Sequence, residues 1–150
     1  MSKSYLSAIM ALGLMTAAPA LAGPIISNHY YEDNASIACP GTCRLNFSVV
    51  PANGAVLITH IACHIVLTPG AVVTTTLTVG TGSGNAVSAR QDTVTTSLSV
   101  TQGTAKTFVA VGETLFLYKP GQFPEVVVSP TADGTVFVSC RIAGERPSPL

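Results

Sequence analysis

The sequence predicts an all-β protein, a single antiparallel β-sandwich or jelly-roll-like domain of seven or eight short strands. Runs rich in β-branched residues recur at a spacing of about 8–12 residues, and Gly and Pro turn signals separate them. No stretch has a helical apolar period sustained over three turns. An outer-membrane barrel has a similar number of strands, but it needs aromatic girdles, and this chain is only 6% aromatic with no Trp.

Residues 1–22 are predicted to be a signal peptide. Lys3 precedes a short apolar run over 5–15, and the small-x-small sequence Ala-Leu-Ala ends at Ala22. The apolar run is too short to span a bilayer as a helix, which takes about 20 residues. We therefore expect cleavage after Ala22 and a mature protein that is secreted or periplasmic.

The mature chain divides into three predicted parts. Residues 23–45 lack sustained periodicity and are expected to form an N-terminal segment pinned by its cysteines. Residues 46–145 carry the strand-and-turn pattern and are expected to form the sandwich. Residues 146–150 are rich in proline and cannot continue a strand, so they are predicted to be a C-terminal tail.

The predicted strands follow one another along the sandwich domain. They cover 56–67, 71–80, 92–100, 106–111, 114–118, 125–129 and 135–142. The strand at 92–100 alternates well, and its predicted apolar face consists of Val94, Thr96, Leu98 and Val100.

Glycine and proline mark the predicted connections. Pro40-Gly41 and Pro120-Gly121 are expected to form turns, and the glycine-rich stretch 80–85 is expected to be a flexible loop. Gly112 separates two apolar runs, which predicts a bulge or a tight bend there. Asp133-Gly134 is predicted to close a hairpin between the last two strands.

Charge is sparse and balanced in this chain. Lys and Arg together number 7, as do Asp and Glu, so the formal net charge is zero. Only 9% of the residues are charged, against roughly 25% in an ordinary domain. There is no basic stripe that could release counterions from nucleic acid, and no mature segment is long and apolar enough to span a membrane. We therefore expect neither a nucleic-acid partner nor a membrane span.

The stretch ITHIACHIVL (58–67) raises the question of a metal site. On a strand, His60, Ala62 and His64 share one face, and the other face is made by Leu57, Ile61, Cys63, Ile65 and Leu67. The two histidines are then about 13 Å apart at the usual strand rise. Zinc–nitrogen bonds are only about 2 Å long, so one ion cannot readily bind both side chains. We predict half-exposed strand residues here, no metal site and no cofactor.

The four cysteines are predicted to form two disulfides, Cys39–Cys43 and Cys63–Cys140. A turn at Pro40-Gly41 lets the first pair approach, and this spacing in an exported chain is more often an oxidised pair than a zinc site. The second pair lies on core faces of an early and a late strand, which either neighbour each other or face each other across two sheets. Two buried free thiols are the alternative to the second bond.

No catalytic motif stands out in the sequence. There is no G-x-S-x-G elbow. The order His, Asp, Ser can be drawn through His60, Asp92 and a later serine, but the same order can be drawn in many chains of this length. Glu113 and Glu125 could serve as paired carboxylates, but nothing in the sequence brings them together. We expect a protein that is not an enzyme, and a secreted hydrolase is the least supported alternative.

Aromatic residues are the best candidates for ligand contact. Tyr30, Tyr31, Tyr118 and Phe123 are the candidates, because exposed rings provide contact area at low entropic cost. The function predicted first is a non-catalytic binding module for a carbohydrate or a protein at the cell surface or in the periplasm. The alternative is a structural or assembly subunit of a surface structure, with another surface protein as its partner.

Overall fold

The computed structural model describes residues 23–69, 73–80 and 86–147. The predicted signal peptide, nearly all of the loop predicted at 80–85, the start of the strand predicted at 71–80 and the end of the tail lie outside these residues. Every regular element within them is a β-strand. The described part of the chain contains no helix of the length and apolarity needed to cross a membrane.

Ten strands are assigned in the described residues, and they form two antiparallel sheets. In chain order they are β1 (Ile25–Ser27), β2 (Tyr30–Pro40), β3 (Cys43–Asn46), β4 (Val56–Thr68), β5 (Val73–Gly80), β6 (Ala86–Val94), β7 (Thr96–Gln102), β8 (Ala105–Tyr118), β9 (Phe123–Pro130) and β10 (Thr135–Glu145). The six-stranded sheet has the order β1-β2-β10-β4-β8-β7, and the four-stranded sheet has the order β3-β9-β5-β6. The predicted antiparallel sandwich is confirmed, whereas jelly-roll connectivity stays a prediction.

The core lies between the two sheets and follows the alternation of the strands. On β10, Val136, Val138, Cys140 and Ile142 are buried while the residues between them are exposed. Val126 and Val128 of β9 and Leu77 of β5 are buried on the facing sheet. Each fully buried aliphatic side chain of this kind contributes roughly 1.5–3 kcal/mol to folding.

The N-terminal segment predicted at 23–45 is part of the sandwich rather than an extension pinned to it. β2 pairs with β10 along its whole length, from Tyr30 to Pro40. The periodicity is hard to detect because Asp33, an acidic residue, occupies a core-facing position and is 2% exposed. Its carboxylate accepts hydrogen bonds from the backbone N–H groups of Asn34 and Ser48, at 2.8 and 2.7 Å, which offset the cost of its burial.

A β-bulge shifts the register of β4 at Thr59. Ile58 and His60 of β4 pair with the consecutive residues Gly144 and Ala143 of β10, which leaves Thr59 as the extra residue, so Val56 and Ile58 are buried in place of the predicted Leu57. β8 itself is continuous through Gly112, which pairs with Ile61. The predictions of two strands around Gly112 and of a bulge or bend at that residue are therefore wrong, because the register with β4 shifts farther along β8, where Thr114 and Leu115 are opposite Thr59 alone.

The strand predicted at 92–100 is divided at Thr95. β6 ends at Val94 in the four-stranded sheet, and β7 begins at Thr96 in the six-stranded sheet. A second bulge, at Ser99, puts Leu98 opposite Phe108 and Val100 opposite Thr107. Because Phe108 faces the core and Thr107 does not, the predicted single face of 92–100 is wrong, and Leu98 and Val100 lie on opposite faces.

The predicted turns have mixed outcomes. Gly41 has a positive φ of 72°, as a turn at Pro40-Gly41 requires, and the N–H of Gln122 donates to the carbonyl of Lys119 at 3.1 Å across Pro120-Gly121. Asp133-Gly134 does not close a hairpin. β9 belongs to the four-stranded sheet and β10 to the six-stranded sheet, so this turn connects the two sheets.

Both predicted disulfides are present. Cys39–Cys43 links the end of β2 to the start of β3, with a Cα–Cα distance of 5.7 Å, and so fastens one sheet to the other. Cys63 and Cys140 are directly opposite each other on the neighbouring strands β4 and β10, and their Cα atoms are 4.1 Å apart. Of the two predicted arrangements for this pair, the structure has the neighbouring one.

Candidate functional site

The exposed large apolar side chains are concentrated on the six-stranded sheet. Among the described residues, only Val49 lies outside that sheet. The others are Ile25, Ile26, Tyr30, Ile37, Leu98, Val100, Val111, Leu115, Leu117 and Phe137. None of the described side chains of the four-stranded sheet belongs to this group. A concentration of this kind on a folded protein is typical of a surface that contacts another molecule.

The outer face of the six-stranded sheet is the face directed away from the core. Thr114, Phe116 and Tyr118 of β8 are buried, so the intervening Leu115 and Leu117 point outward and are 75% and 41% exposed. Phe137 of β10 points outward for the same reason and is 45% exposed.

Two adjoining shallow depressions lie at the centre of this outer face. Their volumes are about 240 and 340 Å³, and Ala62, Val111 and Arg141 line both of them. Val111 and Arg141 are directly opposite Ala62 on the two flanking strands, so the small alanine forms the floor between two larger side chains. The depressions could accommodate side chains of a partner, but they are too shallow to enclose a small ligand.

The edge strand β7 differs from the other strands in its exposure. It pairs only with β8, and every residue from Ser97 to Gln102 is exposed. Leu98 and Val100 are 54% and 47% exposed, on opposite faces. One row of its backbone N–H and C=O groups therefore has no neighbouring strand in the described structure.

His60 and Asp92 line one cleft, as a hydrolase would need. The cleft has a volume of about 610 Å³ and is lined by Thr59, His60, Asp92, Glu113, Thr114, Leu115 and Glu145. Nε2 of His60 lies 3.9 Å from Oε1 of Glu113, and these two side chains are 59% and 87% exposed. The Thr114 hydroxyl donates to the Asp92 carboxylate. The His60 and Glu113 side chains of this cleft are therefore open to solvent.

The other candidate site residues are separated by the fold. Glu125 is buried in a salt bridge with Arg44, at 2.9 Å, and so is not paired with the exposed Glu113. His60 and His64 both lie on the outer face of β4, and Cys63 lies on the core face in a disulfide. In the described residues no three His, Cys, Asp or Glu side chains converge in a way that could hold a metal ion.

Two of the four predicted ligand-contact rings are inaccessible. Tyr31 and Tyr118 are fully buried, and burial, the largest cause in each, raises the pKa of both phenols above the ordinary value. The Tyr118 hydroxyl donates to the carbonyl of Thr78 at 2.6 Å. The prediction of ligand contact at Tyr31 and Tyr118 is therefore corrected, since both rings are core side chains. Phe123 is half-buried and keeps its place as a prediction.

Tyr30 belongs to a polar network on the outer face of the six-stranded sheet. Its hydroxyl donates to the carboxylate of Glu32, and Nε of Arg141 lies 2.6 Å from the other oxygen of that carboxylate. The hydrogen bond from Tyr30, followed by the hydrogen bond and charge of Arg141, lowers the pKa of Glu32. Tyr30 is 42% exposed, so its ring is accessible while its hydroxyl is engaged.

A buried polar cluster lies on the four-stranded sheet. The side chain of Glu125 is 0% exposed, and Arg44 donates to its Oε1. Its Oε2 and the buried Oδ1 of Asn46 have no hydrogen-bond partner among the described residues. Arg44, Asn46 and Glu125 are on the paired strands β3 and β9, so the cluster holds the edge strand β3 to its neighbour.

Comparison with known proteins yields little. No protein-family model matches the chain, and no curated protein matches it. Among solved structures, it is similar to a chain described as "Bacillus endospore appendages form a novel family of disulfide-linked pili". The similarity covers 97% of this chain and 100% of that chain, with 12% identity and a TM-score of 0.32. A similarity this low carries no argument about fold or function.

Proposed function

We propose that this protein is a non-catalytic structural subunit of an exported assembly, in which copies of the chain pack through the outer face of the six-stranded sheet. The single observation that carries the proposal is the concentration of exposed apolar side chains on that sheet, with Leu115 at 75% exposure. Obligate and homomeric interfaces are rich in apolar surface, and a surface of this kind in water favours burial against a partner.

The choice of a second copy as the partner rests on charge. The chain has a formal net charge of zero, so two copies do not repel each other over long distances. The centre of the outer face, around Ala62 and Val111, also carries His60, His64 and Arg141, and Arg141 is paired with the carboxylate of Glu32. Such a face has neither the basic stripe for a polyanion nor the enclosed pocket for a small ligand.

Export is supported by the cysteines and by the first residues of the chain. All four cysteines are in disulfides, which persist in oxidising compartments. The signal-peptide pattern that ends at Ala22 directs a chain to such a compartment. A structural subunit outside the cell also gains from covalent cross-links, because they limit unfolding where no chaperone can rescue the chain.

Sedimentation velocity over a wide range of protein concentration tests the proposal. We expect the mature protein to form larger species as its concentration rises. The double variant Leu115→Lys/Phe137→Lys should weaken this association, because it places two charges on the outer face. Val49→Lys is the matched control, since Val49 is an equally apolar, 45% exposed side chain outside the six-stranded sheet.

Two results would contradict the proposal. The first is a wild-type protein that sediments as a monomer at every concentration. The second is equal weakening by Val49→Lys and by the double variant, which would indicate a non-specific effect of added charge. Circular dichroism of each variant establishes that it is folded, as expected for substitutions at exposed positions.

A further inference from the structure

The backbone of β7 is available for pairing with another strand. β7 closes one edge of the six-stranded sheet and pairs on one side only, with β8. Its residues Ser97–Gln102 are exposed on both faces. Backbone N–H and C=O groups that point outward from such an edge are a template for a further strand.

Of the features with which proteins usually protect an edge, β7 has a bulge, at Ser99, but no charge and no proline. Residues 93–105 contain no charged residue, no histidine and no proline, and they are rich in Thr, Ser and Val. A lysine, an inward-pointing charge or a proline would normally discourage pairing at such a position. The sequence instead has several Thr and Val residues, which have high β-propensity.

The opposite edge of the same sheet is protected. β1 covers only residues 30–32 of β2, and the carboxylate of Asp33 takes up the backbone N–H groups of Asn34 and Ser48 beside it. Pro40, at the end of β2, has no N–H to donate. A strand from another molecule therefore meets a partly occupied edge at β2.

The edges of the four-stranded sheet carry charges. β3 carries Arg44, which is bound to Glu125. β6 carries Arg90 and Asp92, and the guanidinium of Arg90 lies 4.4 Å from the ring centre of Phe116. Among the described edges, β7 is thus the one that is long, uncharged and open.

We infer that β7 is a self-pairing edge: two copies of the chain join β7 to β7 in antiparallel orientation, and their six-stranded sheets become one continuous sheet. Pairing of β7 with the β7 of a second copy produces a closed two-fold contact. Leu98 and Val100 lie on opposite faces of β7, so the junction gains an apolar contact on each face. This inference rests on the proposed function, because it specifies one contact within the assembly.

Cysteine cross-linking tests the pairing directly. Full overlap of two antiparallel copies of Thr96–Gln102 places Ser99 opposite its own copy, where Cα atoms are about 4.5–5.5 Å apart, within reach of a disulfide. We expect Ser99→Cys to give disulfide-linked dimers in high yield under mild oxidation. The control is Thr131→Cys, an exposed position in the connection between β9 and β10. Peptide mapping verifies that Cys39–Cys43 and Cys63–Cys140 are retained.

Sedimentation of a variant with charges on β7 tests the same pairing without a covalent bond. Leu98→Lys/Val100→Lys puts two charges on β7 and should remove the dimer from sedimentation profiles, with little change in the melting temperature because both side chains are half-exposed. The single variants Ser97→Cys and Thr101→Cys test which register the two copies of β7 adopt. A link at any of the three positions on β7 in clear excess over Thr131→Cys supports the pairing, and no such excess overturns it.

The outcomes separate this inference from the proposed function. Association that depends on Leu115 and Phe137, without any cross-link at β7, would overturn the self-pairing edge and leave the structural-subunit proposal in place. Cross-links at β7 that persist unchanged in Leu115→Lys/Phe137→Lys would support the self-pairing edge as a contact of its own. A wild-type monomer without cross-links would overturn both.

Discussion

The two sheets of the sandwich differ in the side chains that they expose to solvent. The six-stranded sheet places Val111, Leu115 and Phe137 in solvent, whereas the described outward side chains of the four-stranded sheet include no exposed large apolar residue. The four-stranded sheet instead carries an ion pair between the buried carboxylate of Glu125 and Arg44, whose side chain is 39% exposed. Among the described residues, the exposed large apolar side chains are thus a property of one sheet and not of the sandwich as a whole, which is why the proposed assembly is assigned to the six-stranded sheet.

The sheets also differ in how they are held together. In the six-stranded sheet a disulfide joins directly opposed residues of β4 and β10, the two strands at its centre. In the four-stranded sheet the salt bridge joins β3 to β9 at an edge. A covalent bond is independent of solvent and pH, whereas an ion pair depends on the burial and charge of both partners.

The largest expected effect is the loss of the central disulfide. Cys63→Ala/Cys140→Ala removes a cross-link between residues separated by 77 positions, for which the chain-entropy estimate is about 4 kcal/mol of unfolding free energy. Urea unfolding of the variant and the oxidised wild type measures the difference. Cys39→Ala/Cys43→Ala is the comparison and should cost about 2 kcal/mol, since it closes a much shorter loop. Equal free energies of unfolding for the wild type and Cys63→Ala/Cys140→Ala would show that the central disulfide does not stabilise the fold.

Removal of the charge at Arg44 should have the next largest effect. Arg44→Met leaves the carboxylate of Glu125 fully buried, with one oxygen deprived of its donor and the other already without a partner among the described residues. We expect a loss of roughly 2–3 kcal/mol, below the range for a fully buried pair because the Arg44 side chain is 39% exposed. The double variant Arg44→Met/Glu125→Leu should recover much of the stability, as measured by the same unfolding experiment. A double variant less stable than Arg44→Met would contradict this account.

The smallest effect concerns the network around Glu32 on the six-stranded sheet. The pKa of Glu32 is lowered first by the hydrogen bond from Tyr30, so Tyr30→Phe should raise it toward the ordinary value. Because the folded pKa lies below the unfolded one, the stabilisation is present at neutral pH and is lost as the pH falls through the folded pKa. An NMR titration of the Glu32 carboxyl measures both proteins. An unchanged pKa in Tyr30→Phe would show that Arg141 alone sets it.

The alternation of apolar and polar residues predicted those features of the fold that depend on a single strand. The core faces of β10 and of the second half of β4 follow from period-2 patterning, and so does the inward direction of Cys63 and Cys140. The two bulges, at Thr59 and Ser99, could not be predicted because they depend on the register with the neighbouring strands β10 and β8. The position of Asp33 in the core hid β2 for a similar reason, since its partners are supplied by other segments.

The exposed apolar side chains of the six-stranded sheet were harder to predict than the disulfides. The run 115–118 reads Leu-Phe-Leu-Tyr, so both faces of β8 are apolar and the sequence does not identify the exposed one. The period-2 pattern did contain a signal that Tyr118 shares a face with Phe116, which would have favoured burial of the ring. Whether an apolar outward face is covered depends on a second layer of structure, and a single sequence does not specify that layer.

Hydrogen–deuterium exchange of the mature protein at low and high concentration tests most directly whether β7, the open edge of the six-stranded sheet, is a contact of the assembly. The account predicts that amides of β7 (Thr96–Gln102) exchange more slowly as the concentration rises, while amides of β3 and β6, the edges of the four-stranded sheet, keep their rates. Exchange that is independent of concentration throughout the chain, or slower only in the four-stranded sheet, would contradict it.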